Sequence, residues 1–300
     1  GYCMDKNSEN KTGLLNSFDL KNPKYKVLYG FMTAILVLFA VIDLFPIIWV
    51  ILSSFKSSQE LYQIPPTLWP TEFMFENIAN AWKKSQIGTG FLNSLCIVGG
   101  CLASDIIING IFGYVLSRVK PTGSKILDKM IFWSMLLPGI SMVPLYITFV
   151  DVPLLHINLS GTFFPMWLMA GCNAFNVLMF RSFFNGIPMA YVEAAKIDGC
   201  SSIRIFVQII MPLSKPIVMV MSIFQVMSSW SSFMWPYLML GSTPLEPVAV
   251  KLYTASMGAG DLMANEVMMT AILSVLPLMI VFTVFSKRIL GGLAIGGVKG

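Results

Sequence analysis

Long apolar runs alternate with short polar connections along this chain, and the run lengths set its architecture. Six of them approach the roughly 20 residues that an α-helix needs to cross bilayer hydrocarbon: 28–52, 91–116, 127–150, 159–180, 217–235 and 268–285. The fifth weakens at its far end, where Trp235-Pro236 breaks the pattern. The pattern predicts an all-α polytopic membrane protein with six transmembrane helices. A polar tail, residues 1–27, precedes a transmembrane domain of residues 28–286, and residues 287–300 form a second tail. The first run follows no cleavage-like site and is too long for a signal peptide, so it reads as an anchor. An outer loop, residues 53–90, carries Pro65-Pro66, Trp69 and Trp82, with an amphipathic piece from Phe75 to Lys84.

Composition gives the same class. Hydrophobic residues make up 56% of the 300 positions and charged residues only 12%, against about 25% charged in soluble domains. Mean hydropathy is +0.73. The basic residues orient the spans, because Lys and Arg accumulate on the cytoplasmic side. With the N-terminus inside, five fall in the first tail and four (Arg118, Lys120, Lys125, Lys129) near the connection of the second and third spans. Arg181, Lys196, Arg204 and Lys215 surround the connection after the fourth span, and Lys287, Arg288 and Lys299 lie at the end. Only Lys56, Lys83, Lys84 and Lys251 remain outside. The positive balance is therefore a matter of topology, and no basic run interleaved with aromatics points to nucleic acid.

The connection at residues 186–212 is the most informative stretch. Pro188 is expected at the first position of a short helix, Gly199 closes that helix, and Ser201 or Ser202 caps a second that Pro212 interrupts. Neither piece is long enough to span. Glu193-Ala194-Ala195 places small residues on this elbow, where another surface can approach closely. A polar cytoplasmic elbow between membrane helices is suited to docking a soluble partner.

Glu193-Ala194-Ala195, then Asp198-Gly199, then Ile209, Met211 and Pro212 resemble the EAA loop of ATP-binding-cassette (ABC) importer permeases, with Met211 where that family usually has Leu. Four further segments resemble the carbohydrate branch of that family, the six-span permeases of the maltose-transporter type. They are Phe91 to Leu95, Leu137-Pro138-Gly139 with Pro144-Leu145-Tyr146, Trp230 to Pro236, and Gly292 to Gly300. Ser231 and Ser232 stand where the family usually has Asn and Asp. The resemblance covers residues from about Leu28 to Gly300. It implies a type I importer fold, a second homologous permease, two cytoplasmic ATPases, an external solute-binding protein and a carbohydrate solute. It also implies that Glu193, Ala194, Ala195, Asp198, Gly199, Ile209 and Pro212 couple this chain to the ATPase.

No catalytic constellation is legible. The phosphate-cradling pattern G-x-x-x-x-G-K-[ST] does not occur, so ATP and Mg are expected on the partner ATPase and no cofactor on this chain. His156 is the sole histidine, beside Asp151 in a predicted outer loop. Five cysteines, an odd number in mostly apolar surroundings, argue against a disulfide framework, and no Cys/His cluster has metal spacing.

Polar residues within the spans are the candidates for a solute path. Asp43 and Asp105 lie inside predicted spans, where an ionised carboxylate costs about 2.5–3.5 kcal/mol on insertion scales. Both are expected to face a bundle interior or a water-filled cavity, either accepting from solute hydroxyls or bonding an Asn or Ser of a neighbouring helix. Asn109 lies one turn beyond Asp105 on the same face. Asn93, Trp230 and Ser231 complete the candidates, with Ser228, Ser229 and Ser232 suited to a cavity wall or to close packing. Trp133 and Trp235 read as interfacial aromatics, and the glycine-rich 291–300 stretch as a flexible tail. Two alternatives stand beside the carbohydrate reading. One is an ABC importer for a polyol phosphate, polyamine or phosphate; the other is a proton-coupled secondary transporter using Asp43 and Asp105.

Overall fold

The computed structural model describes residues 23–136, 142–153, 155–257 and 262–296, with side chains from 26 to 283. The Leu137-Pro138-Gly139 motif and most of the first tail lie outside these residues, as do residues 297–300. The chain divides into two compact units, Gly1–Met74 and Phe75–Gly300.

In the first unit, α1 (Pro23–Ser54) is a single helix of 32 residues that carries Pro46 in its interior. It is apolar around its circumference, the signature of a segment whose surroundings are not water. Asp43 lies on it and is exposed. After α1 the chain makes a compact loop. Ser57 Oγ accepts from Glu60 N–H at 3.2 Å and caps α2 (Ser58–Leu61). The Glu60 carboxylate then gathers the Thr67 hydroxyl (3.0 Å), the Thr71 N–H (2.9 Å) and the Thr71 hydroxyl (2.8 Å). Lys56 donates to the Thr67 carbonyl and lies 4.9 Å from the centre of the Trp49 ring. The 57–71 stretch of the predicted outer loop is thus gathered on one buried carboxylate.

The second unit opens with the amphipathic α3 (Glu76–Lys84), where the sequence placed it. Lys84 pairs with Glu266 at 2.8 Å. There follow α4 (Ile87–Val119), α5 (Ser124–Met135), α6 (Met142–Val150), α7 (Phe164–Gly171), α8 (Ala174–Asn185) and α9 (Met189–Ile197). After these come α10 (Ser202–Leu213), α11 (Lys215–Ser231), α12 (Met234–Leu240), α13 (Val248–Ser256) and α14 (Ala264–Gly296).

Each predicted span falls largely on helix among the described residues, but the helices are not equally continuous, and the fourth begins at Phe164. Among the described residues, the stretches long and apolar enough to cross a membrane unaided are 26–54, 87–119 and 264–283, with α10 and α11 as a further pair bent by 81°. The third predicted span is α5 and α6. The fourth breaks between α7 and α8 because Asn173 takes an extended conformation and caps α8, its side-chain oxygen accepting from Asn176 N–H at 3.2 Å. The fifth ends at Ser231, ahead of Pro236, which lies early in α12. The glycine-rich end differs from expectation: α14 stays helical to Gly296, its only internal proline being Pro277.

Two apolar clusters anchor this unit. One gathers Phe180, Phe184, Val192, Ile205, Phe206 and Ile210 about the elbow; the other gathers Ile97, Phe149, Met166, Met239 and Leu240. Helices α4 and α8 approach closely at Gly113, where a Cβ would meet Phe180 Cβ at 2.7 Å and Arg181 N at 3.0 Å. Small residues at such crossings are what lets membrane helices pack.

Candidate functional site

The elbow is built from α9, a tight turn and α10. Pro188 occupies the N-cap of α9 rather than its first helical position. At the far end Gly199 has φ +76°. Its N–H donates to the Lys196 carbonyl at 3.0 Å and the Cys200 N–H to the Ala195 carbonyl at 2.9 Å. That pair of bonds is a Schellman ending, which needs a left-handed residue at Gly199. Ser201 then caps α10, its hydroxyl accepting from Arg204 N–H at 3.4 Å. Pro212 lies inside the final turn of α10 and the chain bends after Leu213.

Glu193, Ala194, Asp198 and Gly199 are exposed together, while Ala195 is buried beneath them; Ile209 is half-buried and Pro212 exposed. Around them stand apolar side chains with no cover: Ile197 is 86% exposed, Ile203 78% and Val207 56%. Beneath, Val192, Ala195, Ile205 and Ile210 are buried against Phe180 and Phe184 of α8. Arg118, at the end of α4, ties the elbow to the bundle. Its guanidinium donates to the Phe184 and Ile187 carbonyls and reaches Met189 Sδ at 3.2 Å. Arg181 of α8 pairs with Asp128 of α5 at 3.0 Å. An exposed, partly apolar platform is therefore tied to helices of the bundle by packing and by charge-assisted bonds.

The structure distributes the predicted path residues differently. Asp105 and Asn109 meet, as their spacing requires, and both are fully buried. Asn109 Nδ2 donates to Asp105 Oδ1 at 2.6 Å and to the Ala170 carbonyl at 2.8 Å, and Asn176 Nδ2 donates to the same Asp105 oxygen at 2.7 Å. Asn109 Oδ1 accepts from Asn173 N–H at 3.2 Å. A π-helical turn over Asp105–Asn109 places these groups at the break between α7 and α8. Asp105 thus bonds an Asn of a neighbouring helix. Its Oδ2 is buried with no hydrogen-bond partner among the described residues.

Asn93 holds a loop, donating to the Pro244 carbonyl at 2.9 Å and the Glu246 carbonyl at 3.0 Å. Trp230 packs, its Nε1 donating to the Ser274 carbonyl at 3.2 Å and its ring stacking on Phe91 at 6.1 Å. Ser231 is exposed, and so is Asp43 on α1.

Near the α7–α8 break lies a cavity of about 220 Å3 that sequence reasoning had only partly outlined. Asn173, Gln225, Ser228, Ser229, Ser232 and Trp235 supply its polar lining and its ring. Ser228, Ser229 and Ser232, which the sequence left between a cavity wall and close packing, line the cavity; Trp235, read from the sequence as interfacial, also lines it, set edge-on against Phe149 at 6.2 Å. The signal for Asn173 was available, since Gly171-Cys172-Asn173 interrupts a predicted apolar span. His156 and Asp151 form an exposed pair at 3.3 Å.

Residues 106–292 match the family of binding-protein-dependent transport system inner membrane components. The chain belongs to that family. Its relatives include the diacetylchitobiose uptake system permease protein NgcG of Streptomyces coelicolor, 29% identical over 267 residues, covering 88% of this chain and 86% of the relative. The polygalacturonan/rhamnogalacturonan transport system permease protein YtcP of Bacillus subtilis is 29% identical over 296 residues, covering 94% and 100%. The fold is that of a subunit in the crystal structure of a bacterial ABC transporter involved in import of the acidic polysaccharide alginate. That match has a TM-score of 0.75 at 23% identity and covers 92% of this chain and 99% of the other. The chain is a multi-pass membrane permease of the ABC importer type.

Proposed function

We propose that this permease lines the path of an ATP-driven importer for a carbohydrate, an oligosaccharide or a derivative of one, together with a second homologous permease. Saccharide-transport relatives spanning nearly the whole chain support the solute class. ATP and Mg would be bound by two cytoplasmic ATPase subunits, and an external solute-binding protein would deliver the sugar. Both tails, residues 1–27 and 287–300, would lie in the cytoplasm with the 186–212 elbow, as the distribution of Lys and Arg favours.

The elbow is the observation that carries the mechanism. ATP-driven closure of the ATPases would push on the surface formed by Glu193, Ala194, Asp198, Gly199 and Ile197. Because Val192, Ala195 and Ile205 are packed against Phe180 and Phe184, and Arg118 clamps the Phe184 and Ile187 carbonyls, that push moves α4 and α8 as a block. The bundle is then biased between inward-open and outward-open states by the difference in ATPase contacts in the two. Co-purification from membranes with the ATPase, followed by ATPase assay with and without binding protein and a sugar panel, tests this. Sugar-stimulated hydrolysis that Glu193→Arg abolishes supports it; an assembled complex indifferent to that change contradicts it.

A further inference from the structure

The cavity beside the α7–α8 break has a chemical bias that bears on which saccharide is carried, given the carbohydrate reading above. Its lining combines amides and hydroxyls of Asn173, Gln225, Ser228, Ser229 and Ser232 with the Trp235 ring, over an apolar floor that includes Ile97 and Met166. None of its lining residues is Asp, Glu, Lys or Arg. One N–H of Gln225 is committed to Ser229 Oγ at 2.7 Å, which leaves its carbonyl and second N–H for a ligand. The acidic group nearest on α4 is Asp105, one turn beyond Cys101, itself a lining residue.

We infer that this cavity is a subsite for one uncharged sugar ring of the transported saccharide. A neutral sugar offers hydroxyls that both donate and accept, and a C–H face that packs on an aromatic ring; the lining answers both. A uronate or sugar phosphate would meet no cation among the lining residues of this chain, an arrangement that selects against an anionic ring at this subsite. At about 220 Å3 the space is smaller than the ~300–1,000 Å3 of drug-sized pockets, so it holds a ring and leaves the rest of an oligosaccharide outside.

The test uses the assembled importer in proteoliposomes with its binding protein, and diacetylchitobiose, raffinose and trigalacturonate as probes. At least one neutral probe is taken up and trigalacturonate is not. Gln225→Met lowers that uptake about tenfold at equal complex yield. As a check independent of that substitution, Ser228→Cys, at an exposed lining position, is made with the five native cysteines changed to serine. The transported neutral sugar then slows its reaction with a methanethiosulfonate reagent at least threefold. Uptake of trigalacturonate by the unaltered importer overturns the neutral-ring assignment. If a neutral probe is carried but both the Gln225→Met rate and the Ser228→Cys labelling stay unchanged, the subsite falls while the carbohydrate reading stands. If no sugar is carried, that reading falls and the inference with it.

Discussion

Replacing Gly199 isolates the elbow's contribution to transport. At φ +76° an added Cβ would meet no atom within 4 Å, so substitution introduces no clash and its cost is backbone strain alone. A left-handed L-residue costs roughly 1–2 kcal/mol, and a β-branched one sits at the upper end. Relief of that strain comes from opening the turn, which breaks the Gly199-to-Lys196 and Cys200-to-Ala195 bonds. At 1.4 kcal/mol per factor of ten, the native turn is disfavoured about 5- to 30-fold. Gly199→Ala should therefore lower sugar-stimulated ATPase and uptake about 5-fold, and Gly199→Val about 20-fold, in purified complex normalised for yield. Gly199→Asn should stay near the parent level because Asn tolerates this conformation. Gly199→Asp adds a carboxylate beside Asp198 and should uncouple transport while leaving membrane insertion intact. Parent-level transport by Gly199→Val, or equal damage from Asn and Val, would refute the strain argument.

Three other perturbations follow from the geometry. Arg118→Gln removes the guanidinium from the Phe184 and Ile187 carbonyls; at about 1.5–3 kcal/mol per bond to a charged group, it should lower the thermal midpoint of the purified chain by several degrees. Asp105→Asn keeps an acceptor for Asn109 and Asn176 and should change stability by less than about 1 kcal/mol, whereas Asp105→Leu strands two amides at about 1–3 kcal/mol each; denaturant midpoints separate the two. Burial pushes the Glu60 carboxyl up, but the Thr71 N–H and hydroxyl and the Thr67 hydroxyl outweigh it and hold it below its ordinary 4.5. Its contribution to loop order is thus complete above pH 4.5 and lost as pH falls through the lower folded value; hydrogen exchange at the Thr71 amide, corrected for its intrinsic rate, should lose protection there and be pH-independent in Glu60→Gln.

The fold was legible where the chain must satisfy the bilayer. Apolar length located α1, α4 and α14, and proline, glycine and serine punctuation located the elbow turn, because each acts through local backbone chemistry. Breaks inside spans were harder, since Asn173 ends one helix and caps the next only by pairing with Asn176, a bond that hydropathy does not see. The path residues were harder still. Asp105 with Asn109 was found because i, i+4 spacing fixes their meeting, but Asn93, Trp230 and Ser231 were nominated by residue type. What they touch depends on the tertiary position of the 244–246 loop and of α14. Trp235 was assigned to the interface by its place near a span end, and only the break after Ser231 turns it to the cavity.

Uptake into proteoliposomes with ATP sealed inside and binding protein added outside tests the central claim most directly. The account predicts sugar accumulation that requires lumenal ATP, fails without binding protein and survives a protonophore. Accumulation without ATP that a protonophore abolishes would contradict it and return Asp43 and Asp105 to the centre of the mechanism.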